Sequence, residues 1–270
     1  MPVSLYSIVA GVSYLILSSS LLTLNALLLM ALFVHKEYKS TTYRAIKTLC
    51  FSCVLQLLPM SVGGVMTAAQ DNFNFYLDRV LGILVESSWF LYLGISLTLA
   101  VDRLLIFVCP SLFQQSTVTN AMMILSWLLF LIVAILMSLP DFGYSYNHNG
   151  IYYMWLFYDE KNGSQKFAQI EPFFDVSMFA VIFVIYVIVC WHLVKLRKLS
   201  SSQSTSYKVE IRIFLPAAIT LLYELLFVVT CFWMPMDFVD PTVALVIFNT
   251  VILMMRPKQT TVTVSIIPLK

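Results

Sequence analysis

The stretch LTLAVDRLLIFVCP, residues 97–110, sets an Asp–Arg pair, Asp102 and Arg103, inside an otherwise apolar run. Charges in so apolar a segment are expensive unless they reach water or a partner. The whole chain shares this character: 60% of its 270 residues are hydrophobic and 11% are charged, against roughly half and about a quarter in soluble domains. Lipid is therefore the expected solvent. A formal charge of +2 leaves no basic footprint for nucleic acid.

A helix needs about 20 mostly apolar residues to cross the hydrocarbon core. Seven runs qualify or come close: Leu5–Val34, 45–69, 81–108, 121–139, 173–194, 213–234 and the short 241–255. The first has no basic residue before it and far exceeds the ~7–15 residues of a signal-peptide core, so it is read as a span. No linker, low-complexity tract or repeat divides the chain. The expected fold is an all-α membrane protein, a seven-transmembrane helix bundle over residues 1–255 with a short tail, 256–270.

Lysine and arginine assign the sides. With the N-terminus outside, the inner side holds thirteen basic residues: Lys36, Lys39, Arg44, Lys47, Arg103, Lys195, Arg197, Lys198, Lys208, Arg212, Arg256, Lys258 and Lys270. The outer side holds three, Arg79, Lys161 and Lys166. Most acids lie outside or at the outer lip, among them Asp78, Glu171 and Asp175, while Glu86 and Glu224 fall inside apolar runs. The N-terminus is expected outside and the C-terminus in the cytoplasm. The loop 140–172 is then external and carries Asn162-Gly163-Ser164, a glycosylation acceptor triplet. Cys50, Cys53, Cys109, Cys190 and Cys231 lie within or at the end of apolar runs, so no extracellular disulfide framework is implied.

This topology puts Asp102 and Arg103 at the cytoplasmic foot of the third span. Two readings stand for Arg103: an anchor that snorkels to water, or a switch. Three further stretches bear on the choice. The second span has LQLLP at 55–59, then Gly63, Gly64 and Thr67. The third has SSWFLYLGISLTLAVDRLLIF at 87–107, and the sixth opens with EIRIFLPAAI at 210–219. Together these resemble the nematode serpentine chemoreceptors of class T, a group of rhodopsin-like seven-transmembrane G-protein-coupled receptors. The resemblance implies a chemosensory receptor for a small-molecule ligand that signals to a heterotrimeric G protein. It further implies a plasma-membrane location, in sensory-neuron cilia. It makes Arg103 a switch that pairs at rest with Asp102 or a neighbouring helix and is released towards the G protein. Lys195, Arg197, Lys198 and Arg212 flank the third inner loop, where positive-inside topology alone accounts for their charge and a G-protein contact is the functional addition.

The chain departs from that pattern at the position usually acidic in the second span, here Cys53. The seventh run has NTVIL at 249–253 in place of Asn-Pro-x-x-Tyr. Neither the third span nor the outer loop has a cysteine for the link seen in rhodopsin-like receptors. A receptor relative that binds ligand without signalling is therefore kept as an alternative, as is a small transporter, although no repeat supports the latter. The seventh run has no lysine for a Schiff base, so no retinal-type cofactor is expected. No metal spacing and no hydrolase motif appear, so the chain is not read as an enzyme.

Candidate ligand residues follow from the intramembrane acids. Glu86 lies 17 residues before Arg103, about 25 Å along the helix, in the outer part of the span. Trp89 is one turn further in, and Phe90 or Tyr92 stands beside it. An ionisable group there is a site hypothesis by default; the plainer reading is a solvated or hydrogen-bonded helix end. Asp175 and, in the sixth run, Tyr223 and Glu224 complete the expected cavity, although Glu224 can equally tie helices together. A carboxylate at Glu86 favours a cationic or hydrogen-bond-donating ligand.

Overall fold

The computed structural model describes residues 5–34, 40–108, 115–147, 154–158 and 160–199. Five long helices form there: α1 (Leu5–Val34), α2 (Thr41–Ala69), α3 (Phe75–Phe107), α4 (Gln115–Ser138) and α5 (Asn162–Leu199). Between α4 and α5, strands β1 (Tyr144–Asn147) and β2 (Met154–Phe157) pair antiparallel, with Tyr144 opposite Phe157 and Asn147 opposite Met154. All five helices are long and apolar enough to cross a membrane. The sixth and seventh expected runs lie outside the described residues.

Burial ranks the helices. Half of α3's most apolar window is buried, against 17% for α1 and 22% for α4 and α5. α3 is therefore central, packing on α2, α4, α5 and β1. The outer helices present Val9, Ile16, Leu24, Ile124, Leu128, Ile132, Val184 and Val187 on exposed surface. In a membrane such faces contact lipid tails, which solvate them at no cost, so association rests on close packing.

Small residues supply that packing between α1 and α2. A Cβ on Gly64 would stand 2.7 Å from the Leu15 nitrogen, and one on Gly11 would stand 2.5 Å from the Ala68 nitrogen. The obstacles are backbone atoms that cannot rotate away. Gly64→Ala should therefore destabilise the bundle by about 1–3 kcal/mol, the usual cost of overpacking. The check is thermal unfolding of the purified chain; an unchanged Tm would show that the two backbones do not approach this closely.

Four helices begin earlier than hydropathy suggests, α2 at Thr41 rather than 45 and α4 at Gln115 rather than 121 among them. α3 starts at Phe75 rather than near residue 81, capped by the Asn74 side chain, which accepts from the Tyr76 N–H. α5 starts at Asn162 rather than near 173. Its 38 residues span about 57 Å, well beyond the ~30 Å hydrocarbon core. Residues 162–172, expected as outer loop, are thus helix, and the remaining loop carries a hairpin. Asp78 and Arg79 likewise belong to the first turns of α3.

Those two side chains fix the hairpin. Asp78 is buried, and its Oδ1 accepts from the Tyr146 N–H at 2.9 Å. Asn72 donates to the Tyr146 carbonyl at 2.7 Å, and the Tyr146 hydroxyl meets Thr67 Oγ1 at 2.5 Å. Arg79 Nη2 lies among the carbonyls of Met137, Ser138, Leu139 and Phe142, at 2.7–3.3 Å. It thereby caps the end of α4, where unsatisfied carbonyls and the helix dipole favour a cation. Burial, with the Asp78 carboxylate nearby, pushes the Tyr158 phenol above its ordinary range despite Arg79. These polar contacts hold the outer loop against α2, α3 and α4, with no disulfide among the described residues.

Candidate functional site

At the end where α3 finishes and α2 and α4 begin, Asp102 is fully buried. Its Oδ2 accepts from Thr42 Oγ1 at 2.7 Å, and its Oδ1 accepts from Thr119 Oγ1 at 3.0 Å and Gln115 Nε2 at 3.2 Å. Thr42 lies in the first turn of α2, and Gln115 opens α4. Two helix N-termini thus converge on one carboxylate, where their partial positive charge offsets the cost of burying it. Beside it, Thr41 and Ser116 hydroxyls join the same two helix starts at 2.9 Å.

Arg103 has no part in this knot. It is half-buried, and among the described residues it forms no ion pair with Asp102 or with any other acid. Among the described residues, Asp102 therefore serves a three-helix junction rather than an ion pair with Arg103; the other expected partner, a neighbouring helix, includes the sixth run, which lies outside the described residues. The residues that sequence reasoning missed are Thr42, Gln115 and Thr119. Their polarity at helix starts reads as ordinary capping, and nothing local says that they share an acceptor.

The second cluster lies at the opposite end of α3. Glu86 is 2% exposed and Asp175 1% exposed, and Glu171, one turn before Asp175 on α5, is 6% exposed. The Glu86 and Glu171 carboxyl groups lie near one another. Asp175 is near enough to act electrostatically on both. Asp175 Oδ2 accepts from Trp89 Nε1 at 2.9 Å, but Asp175 Oδ1 and Glu86 Oε1 are buried with no hydrogen-bond partner.

Aromatic rings wall the cluster. Trp89 stacks on Tyr92 with centroids 5.8 Å apart, and Phe179 lies 6.2 Å from Trp89. A chain of rings then leads outward, Phe174 to Phe90 at 5.2 Å, Phe90 to Phe167 at 5.9 Å and Phe167 to Phe157 of β2 at 5.7 Å. The structure therefore brings Glu86, Trp89, Tyr92 and Asp175 together and adds Glu171. Glu171 was placed in the outer loop because hydropathy begins the fifth span at 173. Its position four residues before Asp175, on one helix face, is the signal that could have found it.

The remaining expected residues divide by place. Lys195 is exposed near the end of α5, where Arg197 and Lys198 follow in the same helix. Arg212, Tyr223 and Glu224 lie outside the described residues. Asn162 is exposed at the first position of α5. Ser164 of its triplet is buried, its hydroxyl donating to the Gly143 carbonyl at 3.3 Å. Among the described residues no three His, Cys, Asp or Glu side chains converge as metal ligands, the acidic cluster included.

A family model described as the serpentine type 7TM GPCR chemoreceptor Srt matches residues 4–261. The chain belongs to this family. Among solved structures, the crystal structure of squid rhodopsin is similar over 94% of this chain and 81% of that chain, with a TM-score of 0.71 and 14% sequence identity. That likeness shows the fold. The Srt chain thus has the seven-transmembrane receptor architecture, five helices of which are described above. No curated protein matches it. As an Srt chemoreceptor it is a multi-pass membrane protein with the two clusters at opposite ends of its central helix.

Proposed function

We propose that this chain is a plasma-membrane chemosensory receptor that takes a small-molecule ligand in the outer half of the bundle. The ligand contacts Glu86, Trp89, Tyr92 and Asp175, with Glu171 beside them and Tyr223 and Glu224 supplied from the sixth span. Signalling passes to a heterotrimeric G protein through Arg103, supported by the basic residues Lys195, Arg197, Lys198 and Arg212. One observation carries this reading: α3 holds an incompletely partnered acidic cluster in its outer half and, near its other end, an arginine that is bonded to no acid among the described residues. A ligand that engages the first can bias α3 between two packings, and Arg103 is free to meet a partner in one of them. The direct test is a ligand-evoked change in cAMP, cGMP or Ca²⁺ in cells expressing the full chain. Specific ligand binding without such a change would support the non-signalling relative instead, for which the altered seventh run is the motive.

The orientation is tested separately. Thirteen basic residues on one side and three on the other, together with the exposed Asn162, support an external N-terminus. Asn162→Gln should remove one glycan and raise gel mobility when the chain is made with microsomes. Because Ser164 is sealed in the folded chain, the glycan should be added only during synthesis and not to the purified protein. An Asn162 accessible solely from the cytoplasmic side would reverse the topology.

A further inference from the structure

The acidic cluster lacks what its chemistry demands. Three carboxyl groups, Glu86, Glu171 and Asp175, are each buried, and no basic side chain among the described residues pairs with them. Buried charges are ordinarily paired. The Trp89 N–H meets Asp175 Oδ2. Glu86 Oε1 on α3 and Asp175 Oδ1 on α5 remain buried acceptors with no hydrogen-bond partner. Such acceptors are rare in folded proteins and call for a group that completes them.

Several features define that group. Positive charge favours it, because a cation beside three buried acids stabilises their ionised form. It must donate in more than one direction, because the acceptors belong to different helices. It must tolerate an apolar wall, since Trp89, which touches Asp175, stacks on Tyr92 and meets Phe179 at a tilt, and an aromatic face attracts a desolvated cation. Among the described residues the three acids do not converge as metal ligands, which favours a donor-bearing organic cation over a bare metal ion. We infer that the cluster binds the protonated head of a small primary amine, whose N–H groups bridge Glu86 Oε1 and Asp175 Oδ1 while its carbon skeleton lies along Trp89 and Tyr92. This inference rests on the receptor reading for its biological meaning, but the binding itself is independent of signalling.

The test uses the full chain purified into lipid nanodiscs at fixed ionic strength. Thermal unfolding is followed with methylammonium, butylammonium and 2-phenylethylammonium, and with 2-phenylethanol and trimethyl(2-phenylethyl)ammonium as isosteres. The primary ammonium ions should raise Tm in a saturable way, 2-phenylethanol should not, and the trimethyl ion, which has no N–H, should bind at least about tenfold more weakly. Glu86→Gln and Asp175→Asn should each weaken the ammonium response at least about tenfold. Glu86→Gln should also raise the Tm of the unliganded chain, since it removes a buried carboxylate; a residue that merely ties helices would lower it. The inference is overturned if the alcohol matches the ammonium, if no ammonium shifts Tm, or if both variants keep the wild-type response. Stabilisation by sodium chloride over N-methylglucamine chloride, with the ammonium ions silent, would equally overturn it in favour of an inorganic cation. G-protein nucleotide exchange on the same sample separates the two readings. Amine binding without exchange would sink the receptor and keep the site, whereas exchange evoked only by neutral compounds would sink the site and keep the receptor.

Discussion

Arg103→Ala should abolish ligand-evoked signalling, by at least about 100-fold in response, while leaving surface expression close to wild type. The asymmetry follows from the geometry. Arg103 is half-buried and bonded to no acid among the described residues, so its removal strands no buried partner. A residue that anchors a helix by snorkelling contributes little specific energy, and its truncation would leave signalling intact. A residue whose contact forms only in the active packing contributes to that state alone, and its loss removes the response. Surface labelling and a second-messenger assay on the same cells decide between them, and wild-type signalling from Arg103→Ala would reduce Arg103 to an anchor.

Its neighbour should behave in the opposite way. Asp102→Ala removes the shared acceptor of Thr42, Thr119 and Gln115. Interhelical hydrogen bonds in membranes average about 0.6 kcal/mol and reach about 1.7 kcal/mol, and a stranded buried donor costs about 1–3 kcal/mol. The Thr119 hydroxyl already also reaches the Gln115 carbonyl at 3.0 Å, which softens its loss. A net destabilisation of about 2–4 kcal/mol is expected, read as a lowered Tm and reduced surface expression. Asp102→Asn keeps a carbonyl acceptor and should lose about 1 kcal/mol. Equal and small effects from both would mean that α2, α3 and α4 are not joined through this carboxylate. On this account two adjacent residues should separate into one whose loss destabilises the fold and one whose loss removes the response.

How far the sequence could be read depended on where polarity fell. The first helix has no charge, and its bounds, Leu5–Val34, match the apolar run. At α3 and α5 the outer turns carry Asp78, Arg79 and Glu171, which hydropathy takes as loop, with Asp175 just inside the fifth run. These side chains are polar because they serve the hairpin and the acidic cluster rather than because they face water. Glu86 stood out because it is alone in an apolar run, and Asp175 because it lies at the start of the next long one; Glu171 did not, because it falls just before the apolar run that α5 brings in from more than eighty residues away. The hairpin was missed for a related reason. Its strands are four residues each, too short for an alternating pattern to show, and they are secured by contacts from Thr67, Asn72 and Asp78 that no local pattern encodes. Asp102 was recognised as costly, but its compensation comes from two other helix starts, one of them 60 residues away, that no local pattern joins to it.

The most direct measurement of the whole account is guanine-nucleotide exchange by the purified chain in nanodiscs with heterotrimeric G proteins of each Gα class, across a chemically broad panel of small molecules that includes the primary amines. The account predicts that at least one compound accelerates exchange on at least one Gα in the wild type, and that the acceleration vanishes in a normally folded Arg103→Ala variant. A folded wild-type chain that binds compounds from the panel yet accelerates exchange with none, or whose acceleration survives Arg103→Ala unchanged, would contradict it.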